Sequence, residues 1–337
     1  MGAIYSRFFT KLTLPPFSSL NGKTILITGG NTGLGREAAR HALTLGANVI
    51  LGVRSVSKGD EAKKDITSGI VAGDARVHVW PIDLESFASV KAFAGRAREY
   101  VASGGRLDFA IMNAGLASVE WATTGDGWER GLQVNDLSTA LLSLELLPLL
   151  LQAKEQDPAS QPHLTLLASD IHKNARFPER DTDSILKSLN SQEEWKTSQT
   201  LGGPTERYAI TKLLDIYITK ELARLAPRDE NGDPLVIVNC VAPGFCKSNL
   251  LSREENIPLM IKIVQAIVAR TIEEGSKTLV HAVTQGPETH GQWLEDQVIR
   301  DPGNLVSDPD LVVAREKLWK EIVAVLKEVD PEIRTEY

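Results

Sequence analysis

The chain has 337 residues, 42% of them hydrophobic and 24% charged, with a formal net charge of −7. This is ordinary globular composition for one α/β unit with additions, and the acidic excess argues against a nucleic-acid-binding surface. Two cysteines, Cys240 and Cys246, provide no disulfide framework and point to a reducing, cytoplasmic compartment.

At the start of the chain, "MGAIYSRFF" places Ser6 four positions after Gly2, which fits the loose N-myristoylation pattern. One acyl chain would anchor only weakly, so no firm membrane anchor is expected and peripheral association stays open. The alternative is an N-terminal extension, residues 1–22, that packs Ile4, Tyr5, Phe8 and Phe9 on the domain. The apolar run 257–269 is about 13 residues, too short to span a bilayer.

From Lys23 onward, short β-branched runs alternate with amphipathic stretches. "KTILITGG" predicts a buried strand and residues 35–45 a helix; "ANVILGVR" predicts a second strand, followed by a polar helix through Lys64. "RVHVWPID" and "FASVKAFAGRAREYV" give a third strand and helix. "LDFAIMNAG" is a fourth strand, and residues 128–151 form a long apolar helix interrupted or ended near Pro148. "HLTLLASD", a helix over 208–225, "LVIVNCVAPG" and a seventh strand in "GQWLED" complete the pattern.

Strands apolar along their length, alternating with helices, predict a doubly wound, mostly parallel sheet covered on both faces. Ligands in such folds sit beyond the carboxyl ends of the strands. The expected organisation is a single catalytic domain over 23–337 with two irregular insertions, residues 170–207 and 245–272.

"TGGNTGLG", residues 28–35, lies between the first strand and first helix. Its glycines permit a tight turn and let a pyrophosphate approach backbone amides at a helix N-terminus. Thr28, Gly29, Asn31, Thr32, Gly33, Leu34 and Gly35 are therefore candidate dinucleotide ligands.

Farther along, "YAITK" puts Tyr208 and Lys212 one helical turn apart on one face. The spacing of "TGGNTGLG", with "NAG" after the fourth strand and "YAITK" on a later helix, resembles the short-chain dehydrogenase/reductase family, with its Rossmann-type fold. "TGGNTGLGRE", "VRSVSKG" and "RTIEEGSKTLVHAV" resemble its retinol-dehydrogenase-like branch, and the N-terminal pattern is similar to fungal reductases of that branch.

The resemblance implies that Asp83, with Leu84, lies near the adenine, and that Asn113, Ala114, Gly115, Pro243 and Gly244 line the nucleotide crevice. It makes Tyr208 the general acid/base, Lys212 its tuner and ribose ligand, Ser169 the substrate-oxygen donor and Asn135 the support of a proton relay. A nearby ammonium and an oxidised nicotinamide would both lower the tyrosine pKa toward neutrality. The family commonly has Asn where Met112 stands and Ser where Ala168 stands; Met112 is expected to point into the core.

At the end of the second strand, an acid would accept from a ribose 2′-hydroxyl and repel a 2′-phosphate. This chain has Arg54 there, with Ser55 and Lys58 close behind. A guanidinium fork suits phosphate, so NADP(H) is favoured over NAD(H).

Ser169 and Tyr208 are 39 positions apart, far more than in compact members of the family. The intervening chain is expected to loop out as a removable lid or binding loop. Its Phe177 and Trp195 either face substrate or pin the loop, and His172 is expected at the surface. Leu250, Leu251, Ile257, Leu259, Met260 and Ile263 would make an apolar substrate lid, a dimer face or core. Six scattered histidines offer no metal-ligand spacing.

The reading is NADPH-dependent reduction of a ketone or aldehyde on a lipophilic small molecule, in fungal secondary metabolism. Alternatives are NAD(P)-dependent oxidation of a lipophilic alcohol and a non-catalytic dinucleotide-binding scaffold. The oligomeric state, monomer or homodimer, is left open.

Overall fold

The computed structural model describes residues 10–17, 19–71, 73–118, 120–246 and 269–337. The proposed Gly2 acylation, the packing of Ile4, Tyr5, Phe8 and Phe9, and the apolar lid from Leu250 to Ile263 lie outside these residues.

The strands are β1 (Thr24–Thr28), β2 (Asn48–Val53), β3 (Val77–Pro81), β4 (Phe109–Met112), β5 (His163–Leu167), β6 (Ile237–Ala242), β7 (Trp293–Glu295) and β8 (Val298–Ile299). They form one sheet in the order β3-β2-β1-β4-β5-β6-β7-β8. Pairing is parallel throughout except for the final β7–β8 hairpin, which the sequence pattern missed because its two-residue strand has no periodicity to read.

Alternate side chains of each strand feed opposite layers, as a strand's two-residue period requires. Ile25 and Ile27 join one core with Ala38, Ala39 and Leu43 of helix α1 (Gly33–Thr44). Leu26, Ala110 and Met112 face the other core, packed by α3 (Phe87–Ala102), α4 (Arg130–Gln156) and α7 (Glu206–Leu225). The remaining described helices of eight residues or more are α2 (Val56–Thr67), α6 (Gln192–Gly202), α8 (Ile272–Ala282) and α10 (Val312–Val329); α5 (Ile185–Leu189) and α9 (Asn304–Ser307) are single turns.

Three expectations change. Helix α4 continues past Pro148 to Gln156 instead of being interrupted or ending there. An interior proline costs roughly 3 kcal/mol, but Leu146, Leu147, Leu149 and Leu150 around it are buried and together contribute more. By length and hydropathy α4 could cross a membrane, yet 83% of its apolar window is buried inside the protein, as a core helix would be.

Residues 170–207 are not an irregular excursion. They form two 3₁₀ turns, Asp170–Asn174 and Pro178–Asp181, followed by α5 and α6. Phe177, Ile185, Leu186 and Leu189 are buried in the larger core, so this segment is part of the domain.

His172, expected at the surface, is fully buried. Its Nδ1 lies 2.5 Å from the Ser169 carbonyl and its Nε2 2.7 Å from the Pro302 carbonyl, with the Trp293 ring edge-on at 5.0 Å. It ties the turn after β5 to the C-terminal segment.

Candidate active site

Strand order reverses at β1, whose neighbours are β2 and β4, and the crevice there opens at the strands' carboxyl ends. Leaving β1, Gly29 has φ +67 and Gly33 φ +57, both left-handed conformations that a side chain would strain. A Cβ on Gly35 would stand 2.4 Å from Asn113 Nδ2 and 2.6 Å from the Gly29 carbonyl. Only glycine lets the turn close so tightly.

The N-terminus of α1 is left available for an anion. Thr32 caps it with no side-chain hydrogen bond, and the first turn holds no acidic residue. Unsatisfied amides and the helix dipole therefore face the crevice. Thr28 joins the walls: its Oγ1 accepts from the amides of Asn113 and Ala114 at 3.0 Å each, while Asn113 Nδ2 donates to the Thr28 carbonyl at 2.8 Å. Leu34, half-buried, packs against the core beside α1. This cradle fits a dinucleotide pyrophosphate.

Beyond β2, Arg54 is exposed and pairs with Glu85 at 3.2 Å. Ser55 Oγ caps α2 by accepting from the Lys58 amide at 3.4 Å. Asp83 Oδ1 accepts from the Glu85 amide at 3.0 Å, shaping the turn, and Leu84 is buried in the core. Gly244 (φ +72) follows Pro243 as the chain leaves β6.

The second half of the site is built on α4 and α7. Five residues of α4, Gln133–Leu137, form a π-helical turn, a device that recurs at functional sites. Asn135 in that turn is buried and locked: Oδ1 accepts from the Leu116 amide at 2.8 Å, and Nδ2 donates to the Leu116 carbonyl and Thr211 Oγ1, both at 2.9 Å. A Cβ on Gly115 would lie 3.2 Å from Asn135 Oδ1 and 3.6 Å from Lys212 Nζ, so "NAG", Asn135 and Lys212 converge.

Lys212 Nζ donates to the Leu167 carbonyl and to Asp215 Oδ2, each at 2.8 Å, and lies 5.8 Å from the centroid of the Tyr208 ring. Ser169 follows β5 as N-cap of the 3₁₀ turn that packs on α7; its Oγ lies 3.3 Å from Asp170 Oδ1.

Burial pushes the Tyr208 phenol above the usual value, the Lys212 ammonium opposes this, and Asp215 and Asp170 add to the rise. Lys212 is itself raised although burial disfavours its charge, because Asp215 and Tyr208 favour the ammonium. Part of the lysine's field is spent on Asp215, and less reaches the phenol.

Phe177 is fully buried, edge-on to Tyr217 at 6.4 Å, and Trp195 is buried edge-on to Trp121 at 6.3 Å. Phe177 is a core residue; Trp195 pins α6 to the loop after β4. Sequence reasoning also missed Asp136, Thr211 and Asp215. Asp215 carried a readable signal: it lies three residues after Lys212, flanked by Leu213, Leu214 and Ile216, where an acid needs a partner.

A glycine-cradled helix N-terminus at the switch point of a parallel sheet, with a lysine and tyrosine converging beside it, defines a nucleotide-dependent enzyme of the doubly wound class. The sequence pattern of the short chain dehydrogenase family matches residues 23–157. The short chain dehydrogenase/reductase dmxR8 of Cryptosporiopsis sp. is 34% identical over 340 residues, covering 100% of both chains. The short chain dehydrogenase atnD of Emericella nidulans is 39% identical, covering 89% of this chain and 92% of that one. Among solved structures, the Pseudomonas aeruginosa RhlG/NADP active-site complex aligns with a TM-score of 0.61 at 22% identity, over 84% of this chain and 97% of that one, a likeness of fold. The chain belongs to the short-chain dehydrogenase/reductase family, oxidoreductases that bind NAD(P).

Proposed function

We propose that this protein reduces a ketone or aldehyde on a lipophilic small molecule with NADPH, in fungal secondary metabolism. The observation that carries the reading is the convergence of Gly115, Asn135 and Tyr208 on Lys212, immediately beside the glycine cradle. A scaffold that only bound a dinucleotide would not need this set.

The nicotinamide supplies the hydride when bound. Tyr208 donates its phenolic proton to the developing alkoxide, and the Lys212 ammonium, whose field opposes the rise that burial causes, favours the tyrosinate left behind. Ser169 turns its hydroxyl from Asp170 to the substrate oxygen and stabilises the charge that forms there. Lys212 holds positive charge next to Tyr208, and Asn135 fixes the α4 turn against α7 through Thr211.

The preference for NADP(H) rests on Arg54, an exposed guanidinium beyond β2 with no acid at its own position. Thr28, Gly29, Asn31, Thr32, Gly33 and Gly35 would hold the pyrophosphate region, and Arg54 with Lys58 the 2′-phosphate. The test is NADPH consumption across a panel of ketones, aldehydes and quinones, with products identified by mass. Turnover of apolar carbonyls with NADPH is the expected result. No turnover with any of them, alongside oxidation of a lipophilic alcohol, would reverse the assigned direction.

A further inference from the structure

Asp136 is fully buried in the π-turn of α4, and neither of its carboxylate oxygens has a hydrogen-bond partner among the described residues. Its turn packs on α7, and the charged groups whose fields reach it are Asp215, Lys212 and Arg207 of α7 and Glu129 at the head of α4. Each of the others is already matched. Lys212 pairs with Asp215 at 2.8 Å, Arg207 with Glu179 at 2.7 Å, and the Glu129 oxygens accept from the Gly131 and Leu132 amides at 2.8 and 2.7 Å. The nearby cations are thus engaged elsewhere, and an unpaired buried carboxylate costs several kcal/mol.

We infer that Asp136 is a neutral carboxylic acid at neutral pH, that it and Asp215 together carry one proton and one negative charge, and that this pair sets the field Lys212 presents to Tyr208. Two carboxyls buried within reach of one another's field cannot both ionise cheaply, so one keeps its proton. Burial and the Asp215 carboxylate push Asp136 well above the usual range, and burial lifts Asp215 to about 6 despite Lys212. Asp136 is a positioning residue, acting through Lys212. If it ionised, a second negative charge would hold the ammonium and make tyrosinate harder to form. Its protonation is independent of the proposed reaction; its effect on Tyr208 rests on that reading.

Infrared spectroscopy of the unmodified protein at about pH 8, where ordinary carboxyls are ionised, tests the protonation without turnover. A protonated-carboxyl band is expected, lost in Asp136→Asn. Asp215→Asn should abolish the same band, because Lys212 would then draw on Asp136 as its counter-ion. A spectrum without the band, or a band unchanged in Asp136→Asn, overturns the protonation; a band that survives Asp215→Asn overturns the sharing. Should Asp136→Asn not fold, carbon-13 NMR titration of the aspartate carboxyls needs no substitution and must find one that remains neutral above about pH 7. In alcohol oxidation, where Tyr208 acts as the base, Asp136→Asn replaces one neutral group by another and should leave the ascending limb of kcat/KM in place, whereas adding Asp215→Asn removes the pair's one negative charge and should move that limb to lower pH. A band that behaves as expected with a limb unmoved in the double variant would remove the link to Tyr208 and leave the protonation standing.

Discussion

In the crevice between β1 and β4 the chain presents backbone: glycines with positive φ, free amides at the head of α1, and Thr28 bonded to two amides of the opposite wall. On α7 it presents the reverse, a buried Lys212–Asp215 pair with Asp136 facing it from α4. The crevice is made by shape and tolerates little added volume. The α7 cluster is made by charge, and its behaviour depends on how many protons it holds. A nucleotide needs a surface that fits, whereas proton transfer needs a group whose pKa its neighbours control.

The sharpest way to break this contrast is Tyr208→Phe. The variant keeps the ring and loses the acid, so turnover should fall by about 10²–10⁴ while dinucleotide affinity, set in the crevice, stays nearly constant. Steady-state rates and a binding titration measure the two separately. Full activity in a folded Phe variant would remove Tyr208 from the chemistry.

The two regions were not equally legible in the sequence. The glycine spacing, the strand-to-helix context and the apolar run of β1 were readable because shape constraints act on residue type at fixed offsets. Asn135, Tyr208 and Lys212 could be placed through the family resemblance. Asp215 could have been paired with Lys212 from its i,i+3 spacing, whereas Asp136 could not, because what makes it matter is the meeting of α4 and α7, which neither segment encodes alone. The stretch from Ser169 to Tyr208 was misread for a related reason. Its apolar residues are spread too thinly for a helical or strand period, yet they fill gaps in a core supplied by other elements.

That stretch gives the next test. Arg207 and Glu179 form a buried pair at 2.7 Å that fastens the second 3₁₀ turn to the head of α7, and Arg207 also donates to the Leu189 carbonyl. Arg207→Met keeps much of the volume and strands the carboxylate. The cost should be about 3 kcal/mol, the lower end for a broken buried pair, because Glu179, already raised by burial, can take up a proton. The sign follows from linkage: the native state would then bind the extra proton, so stability should fall as pH rises from the ordinary carboxyl range through the raised value. Denaturant unfolding at several pH values measures it. A change below about 0.5 kcal/mol would return residues 170–207 to the status of a removable loop.

Arg54→Asp tests the crevice's rim, where charge and not shape discriminates. Loss of an exposed fork to a 2′-phosphate should cost about 2 kcal/mol, roughly 30-fold in Kd for NADPH, and an acid at this position should favour NADH. The comparison must be made at fixed ionic strength, since salt screens the pair. Equal affinity of the unmodified protein for both cofactors would overturn the NADP(H) assignment.

The smallest expected effect is the most specific to this structure. Glu85 holds Arg54 at 3.2 Å, with the arginine side chain 62% exposed and the glutamate 31%. An anion arriving at Arg54 must compete with that carboxylate and also feels its negative charge. Glu85→Gln keeps the turn, because Asp83 Oδ1 accepts from the residue-85 amide and not from its side chain. Exposed pairs of this kind contribute about 0.2–1 kcal/mol, so NADPH should bind roughly 1.4- to fivefold more tightly in the variant. NADH, which brings no phosphate to Arg54, should change little. A gain confined to NADPH and erased by high salt would place the 2′-phosphate beside Arg54; an equal gain for both cofactors would mean that Glu85 acts on the adenosine in general.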